Sequence, residues 1–177
     1  MRGAGPVTDG DDTGLDAQVR ALQRAIDLAC AHVNRRERTV AEVRAQLERK
    51  GVSDAHAEEA VRTLVEQHVL DDERFAEMFV ADKRQLEQWG SERIRRGLSA
   101  RGVDPEVAEQ ALATAPRDAV QDDHDAELSR ALELLRRRFP RPPQERRDRD
   151  RALGVLLRKG YEQELAIDAL NAHGRGD

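Results

Sequence analysis

The chain has 177 residues, 37% of them charged and only 3% aromatic, which excludes one large aromatic-rich core and suits helices that each bury a narrow apolar stripe. Its formal net charge of −5 excludes a molecule that grips DNA by overall charge alone. The charge is unevenly spread: Ala131–Asp177 carries eleven Lys/Arg against eight Asp/Glu, a basic final third on an acidic body.

Met1–Gly14 is rich in Gly and Asp, lacks apolar periodicity and is expected to be a disordered tail. Leu15, Val19, Leu22, Ile26, Cys30 and Val33 then recur at three- and four-residue steps, one stripe of a helix. Thr39-Val40-Ala41-Glu42 forms a capping-box pattern, and the helix it opens stops at Gly51 after Arg49 and Lys50. Ser53 caps a third helix through Ala57, Ala60, Val61 and Leu64. Asp71-Asp72 opens a helix carrying Phe75, Phe79 and Leu86. Trp89-Gly90-Ser91 starts another that stops at Gly102, with Trp89 stapling onto Ile94 if Gly90 is the cap. Asp104-Pro105 is a cap followed by proline at the first helical position, leading Val107, Ala108, Ala111 and Leu112. Leu128, Leu132 and Leu135 mark a further helix ending before Phe139-Pro140, and Arg141-Pro142-Pro143 is a rigid connector. The next helix stops at Gly160, and Leu165, Ala166, Ala169 and Leu170 form the last.

The three stop glycines expose a repeat. Gly51, Gly102 and Gly160 are 51 and 58 positions apart; four residues before each stands Leu47, Leu98 or Leu156, and one residue after stands Val52, Val103 or Tyr161. Nine and ten residues after come Ala60-Val61, Ala111-Leu112 and Ala169-Leu170. The pattern predicts an all-α chain of three tandem three-helix repeats, over residues 15–68, 69–116 and 117–177, the last with a short flexible C-terminus. Units of about fifty residues are marginal alone, so stacking into an elongated, curved array with a long inner surface is expected, and with it a binding function.

Val69-Leu70-Asp71-Asp72-Glu73-Arg74-Phe75-Ala76, followed by Gly90-Ser91-Glu92-Arg93-Ile94 and Leu98-Ser99-Ala100-Arg101-Gly102-Val103, closely resembles the central signature of the bacterial RecX family. Leu156-Leu157-Arg158-Lys159-Gly160-Tyr161 resembles that family's third-unit ending, and the likeness spans about Leu15 to Ala172. The resemblance implies a three-by-three helix fold and a regulator of the RecA recombinase. Such a protein binds RecA and its filament on single-stranded DNA, lodges in the filament groove, suppresses ATPase and strand exchange, and limits filament growth. The negative net charge shifts the expected contact from bare DNA to the recombinase, with nucleic-acid contact weak or indirect, and the chain is expected to be a monomer. A stand-alone DNA-binding helical module and a scaffold for another protein are the alternatives.

Two basic groups are the candidate contacts. Lys83, Arg84, Arg93, Arg95, Arg96 and Arg101 crowd the middle unit, with Arg93 and Arg96 on one helix side; Arg136, Arg137, Arg138, Arg141, Arg146 and Arg147 form the densest basic stretch. They can meet carboxylates of the recombinase or phosphates of its DNA, or lie as solvated faces. Asp71 and Asp72 fit helix capping better than acid/base chemistry, and Cys30 fits a core position better than a redox site. The histidines lack metal-ligand spacing, no catalytic motif occurs, and neither an enzyme nor a cofactor is expected. No apolar run reaches the roughly 20 residues of a membrane span, no signal peptide is visible, and one cysteine suits a reducing cytoplasm, the expected location.

Overall fold

The computed structural model describes residues 10–114 and 123–175. Among the described residues the fold is all-α, nine helices without a strand. The first three are α1 (Gly10–Val33), α2 (Val40–Arg49) and α3 (Asp54–Glu66). They are followed by α4 (Asp72–Gln85), α5 (Ser91–Ser99) and α6 (Pro105–Thr114), and then by α7 (Asp123–Arg138), α8 (Arg146–Lys159) and α9 (Gln163–Arg175). Two compact units divide between Asp71 and Asp72: α1–α3 lie in the first and α4–α9 in the second. In each set of three, the first and third helices pack together and the second packs on the third.

The repeat is written into the helix ends. At Gly51, Gly102 and Gly160 the backbone turns left-handed, with φ of 72°, 74° and 88°. In each case the glycine amide donates three residues back, to Glu48, Ser99 or Leu157, at 2.9–3.0 Å. The following amide, of Val52, Val103 or Tyr161, donates five residues back to Leu47, Leu98 or Leu156 at 3.1–3.2 Å. These are Schellman stops, in which glycine accepts the positive φ and an apolar residue beyond the turn folds onto the helix. The leucine and the Val/Tyr that align in the sequence are therefore the two ends of one hydrogen bond. The third helices start at Asp54, Pro105 and Gln163, keeping the same spacings of 51 and 58.

Starts are capped unevenly. The Thr39 hydroxyl accepts the Glu42 amide at 3.1 Å, one half of the expected capping box; the Glu42 carboxylate stands 3.8 Å from Arg36 and 3.7 Å from Arg38. Asp104 accepts the Glu106 amide at 2.8 Å ahead of Pro105. Ser53 stands at the cap of α3, but its hydroxyl pairs with His56 Nδ1 at 2.8 Å.

Each three-helix set has its own core, centred on aligned positions. Val43, Ile94 and Ala152 are fully buried, as are Leu47, Leu98 and Leu156. Cys30 packs against the first core. Phe75 and Phe79 stack in the second core with ring centroids 6.1 Å apart, and Trp89 meets Phe79 edge-on at 6.3 Å.

Three expectations about apolar positions need correction. Leu15 and Val19 are 68% and 62% exposed, because α1 has 24 residues against 13 in α3 and overruns the surface that can cover it. Ala25 and Ala29 are instead the fully buried residues of α1, with Leu22, Ile26, Cys30 and Val33 of the expected stripe packed against the same core. Leu86 lies beyond the end of α4 and is 76% exposed. Of the expected tail, residues 1–9 lie outside the described residues, while Gly10–Gly14 already belong to α1, since a nucleated helix propagates past its apolar stripe. The expected junction at residues 116 and 117 also lies outside them.

Candidate functional site

Within the second compact unit, the start of α5 is seated on the end of α8. The Gly90 amide donates to Lys159 O at 2.9 Å, and the Glu92 amide to Gly160 O at 3.2 Å. The positive end of one helix thus meets the negative end of another, and each satisfies the other's orphan groups. Contact is too close for side chains: a Cβ on Gly90 would lie 2.4 Å from Gly160 O, and one on Gly160 would lie 2.3 Å from Arg93 Cβ. Glu127 of α7 completes the joint by accepting the Ser91 amide at 2.7 Å and its hydroxyl at 2.8 Å. The Lys159 ammonium donates to Glu87 O and the Tyr161 hydroxyl to Gln88 O at 3.4 Å.

Several of the candidate cations belong to this joint or to the core beside it. Arg93 donates to Arg158 O at 2.9 Å and lies 4.1 Å over the Trp89 ring. Lys83 approaches the same ring at 4.9 Å and pairs with Glu87, whose carboxyl it holds below the usual range. Arg101 lies 4.9 Å over Phe79 and donates to Gly97 O at 2.9 Å. Stacked guanidinium and ammonium groups shield these rings from water while keeping their own charge hydrated at the edge. Arg93 and Arg96, expected on one helix side, diverge in role: Arg96 is exposed and donates only along its own helix, to Glu92 O at 3.2 Å.

Arg95 is a cross-helix staple. It reaches Glu109 of α6 at 2.6 and 3.3 Å and Glu92 at 2.7 Å, and the Glu109 hydrogen bond raises its guanidinium further above the ordinary value. Arg44 and Glu58, each 51 positions earlier, form the same pair between α2 and α3 at 2.7 and 2.9 Å. A pair that recurs at the repeat spacing is part of the repeat's architecture.

The remaining candidates are outward-facing. Arg136, Arg137, Arg138, Arg141, Arg146 and Arg147 are all exposed. The structure brings Arg84 and Arg137, from the two separate sequence groups, into one cleft of about 290 Å³ together with Arg130, Glu133, Gln85, Gln88 and Ala81. Arg84 is anchored there by donating to Leu112 O at 3.2 Å. Sequence reasoning missed Arg130; its signal was the seven-residue step to Arg137, which places both on one side of α7. Three guanidiniums facing one carboxylate make the cleft suited to an anionic group.

Asp71 and Asp72 stand at the start of α4, where negative charge is favoured. No group of three or more metal-ligating side chains occurs among the described residues, and none of their helices is long and apolar enough to cross a membrane.

Tyr161 gives the joint a titratable reporter. Burial pushes its phenol up to about 12, against about 10 for a solvated tyrosine. The fold favours the neutral phenol, so its stabilising contribution is intact below pH ~10 and is lost as pH rises toward 12. Tyr161 is the only tyrosine, so phenolate absorbance should titrate near 12 in the native chain and near ~10 in denaturant. A native midpoint of ~10 would mean the ring is solvated.

Family models for RecX match this chain twice: the first three-helix domain over residues 25–64 and the second over residues 71–112. Regulatory protein RecX of Trichlorobacter lovleyi is 36% identical over 134 residues, spanning 73% of this chain and 82% of that protein. Its counterpart from Mycolicibacterium vanbaalenii is 32% identical over 170 residues, spanning 92% and 89%. The crystal structure of RecX from Lactobacillus salivarius superposes with a TM-score of 0.75 over 90% of this chain and 99% of that one; at 19% identity it attests the fold. The glycine stops, the Gly90 joint and the Leu-Asp-Asp start of α4 all fall within a relationship of that extent, and the chain belongs to the RecX family of regulatory proteins.

Proposed function

We propose that this chain binds the RecA recombinase and its filament on single-stranded DNA, suppresses ATPase and strand exchange, and limits filament growth. It thereby modulates DNA repair and recombination by binding rather than by catalysis. The observation that carries this reading is the relationship to regulatory proteins named RecX over most of both chains. The exposed arginines of α5, α7 and α8 support it, because they offer cations to acidic groups of a filament while the net-acidic chain lacks a general attraction to bare DNA.

The test is RecA ATPase on single-stranded DNA with substoichiometric amounts of this protein. Progressive inhibition is expected; an unchanged rate at every ratio overturns the reading. One observation favours the stand-alone DNA-binding alternative: Arg84, Arg130 and Arg137 line one cleft, where their cations could meet a phosphate. Tight binding of a bare oligonucleotide, with affinity falling steeply as salt rises, would support that alternative.

A further inference from the structure

The repeats act as controls for one another, and one face of the third departs from the other two. In the second unit, Arg95, Ser99 and Glu109 share the surface of one groove between α5 and α6. The aligned residues of the first unit are Arg44, Glu48 and Glu58, also polar and bridged by the Arg44–Glu58 pair. In the third unit the same positions, 58 further on, are Leu153, Leu157 and Ile167. The alignment is structural as well as sequential, since α2–α3, α5–α6 and α8–α9 pack alike around the same Schellman stop. The ionic staple has been exchanged for aliphatic side chains, of which Leu157 and Ile167 remain 40% and 39% exposed.

Folding does not require that exchange, because two units hold the same helix pair with an ion pair. Single exposed aliphatics are ordinary, but here Leu153 packs against the third core while Leu157 and Ile167 carry apolar surface outward at positions that are polar in both other copies, which marks a place where apolar surface is used. The helix pair is basic on balance: α8 carries six Lys/Arg against two Asp, with Arg146 two turns before Leu153 on the same helix side and Arg158 directly after Leu157, while α9 adds Arg175 against Glu164 and Asp168.

We propose that the α8–α9 face seats an amphipathic segment of a protein partner, aliphatic side chains on Leu153, Leu157 and Ile167 and carboxylates against the α8 arginines. Charge complementarity selects that occupant: the arginines attract an acidic segment and repel a basic one. Identifying the partner with the recombinase rests on the reading above.

The experiment grafts the second unit's residues onto the third, as Leu153→Arg with Leu157→Ser and Ile167→Glu, and a milder variant carries only Leu157→Ser and Ile167→Glu. Both are compared with wild type for inhibition of RecA ATPase on single-stranded DNA, for helicity, and for mass in solution. Wild-type inhibition with a roughly tenfold or greater loss of potency in a variant of native helicity is the expected result, since a few central side chains dominate such contacts. Equal potency of folded variants overturns the docking face and leaves the functional reading standing. No inhibition by wild type overturns both. Unfolding of both variants assigns the trio to the core, and a wild-type dimer that the graft dissociates makes the occupant a second copy; either result overturns the proposal.

Discussion

Gly160→Ala is expected to destabilise the α4–α9 unit by about 2–4 kcal/mol, whereas Gly51→Ala should cost its unit only about 1 kcal/mol. Both glycines hold a positive φ, 88° and 72°, so both substitutions carry the left-handed penalty of an L side chain. Their surroundings differ. A Cβ on Gly51 meets nothing within 4 Å, whereas one on Gly160 meets Arg93 Cβ at 2.3 Å, its amide nitrogen at 2.6 Å and its Cα at 2.9 Å. Backbone atoms cannot rotate away, so α8 and α5 must separate, and the Gly90 and Glu92 hydrogen bonds across the joint are strained with them. Trp89, the only tryptophan, sits beside the joint and reports its unit's urea unfolding by fluorescence; circular dichroism follows Gly51→Ala. Equal losses at the two positions would mean that the close approach carries no energetic weight.

That asymmetry marks what a single sequence can disclose. All three glycines announce themselves as helix stops through local signals: basic residues before them, an apolar residue after them, and a leucine four positions back. A Schellman turn is closed within six residues, so its pattern is local and the alignment of the repeats follows from it. The second duty of Gly160, admitting α5, involves residues nearly seventy positions away and leaves no local trace. The same holds for Glu127, which caps α5 from 36 positions downstream, and for Arg93, whose acceptor lies 65 positions on. Tertiary partners of this kind also explain the candidate cations. Composition identified a crowd of them, but only the packing shows that Lys83, Arg84, Arg93, Arg95 and Arg101 are partly buried and engaged within the protein, while Arg137, Arg138, Arg146 and Arg147 lie at the surface.

The cores were legible in proportion to the symmetry of burial. Aligned positions such as Leu47, Leu98 and Leu156 are buried in every copy, and periodicity finds them. Periodicity failed for Leu15, Val19 and Leu86, because an apolar stripe shows which side a helix can bury, not how far its neighbours extend to cover it. The Arg44–Glu58 and Arg95–Glu109 staples were visible in principle, as opposite charges recurring at one offset, and become recognisable once the helix pairs are known to pack.

The division of the cations makes a sharp prediction for two arginines only three residues apart. Arg93→Glu should destabilise the α4–α9 unit by about 2 kcal/mol, adding together a lost cation–aromatic stack of about 0.5–1 kcal/mol and a charge-assisted hydrogen bond of about 1.5 kcal/mol, discounted for partial exposure. The new carboxylate would also face Arg158 O at the negative end of α8, an unfavourable placement for an anion. Trp89 fluorescence should change with it, since the guanidinium 4.1 Å from the ring is removed. Arg96→Glu should alter stability by less than about 0.5 kcal/mol, because its side chain is exposed and its hydrogen bond stays within its own helix. Denaturation midpoints of the two single variants separate the effects, and each is then assayed for RecA inhibition. A loss of inhibition in Arg96→Glu at unchanged stability places a partner contact on the exposed side of α5. A loss confined to Arg93→Glu, in step with its lower stability, means that the partner needs the joint intact rather than the charge itself. Equal stability of both variants would contradict the assignment of Arg93 to the joint.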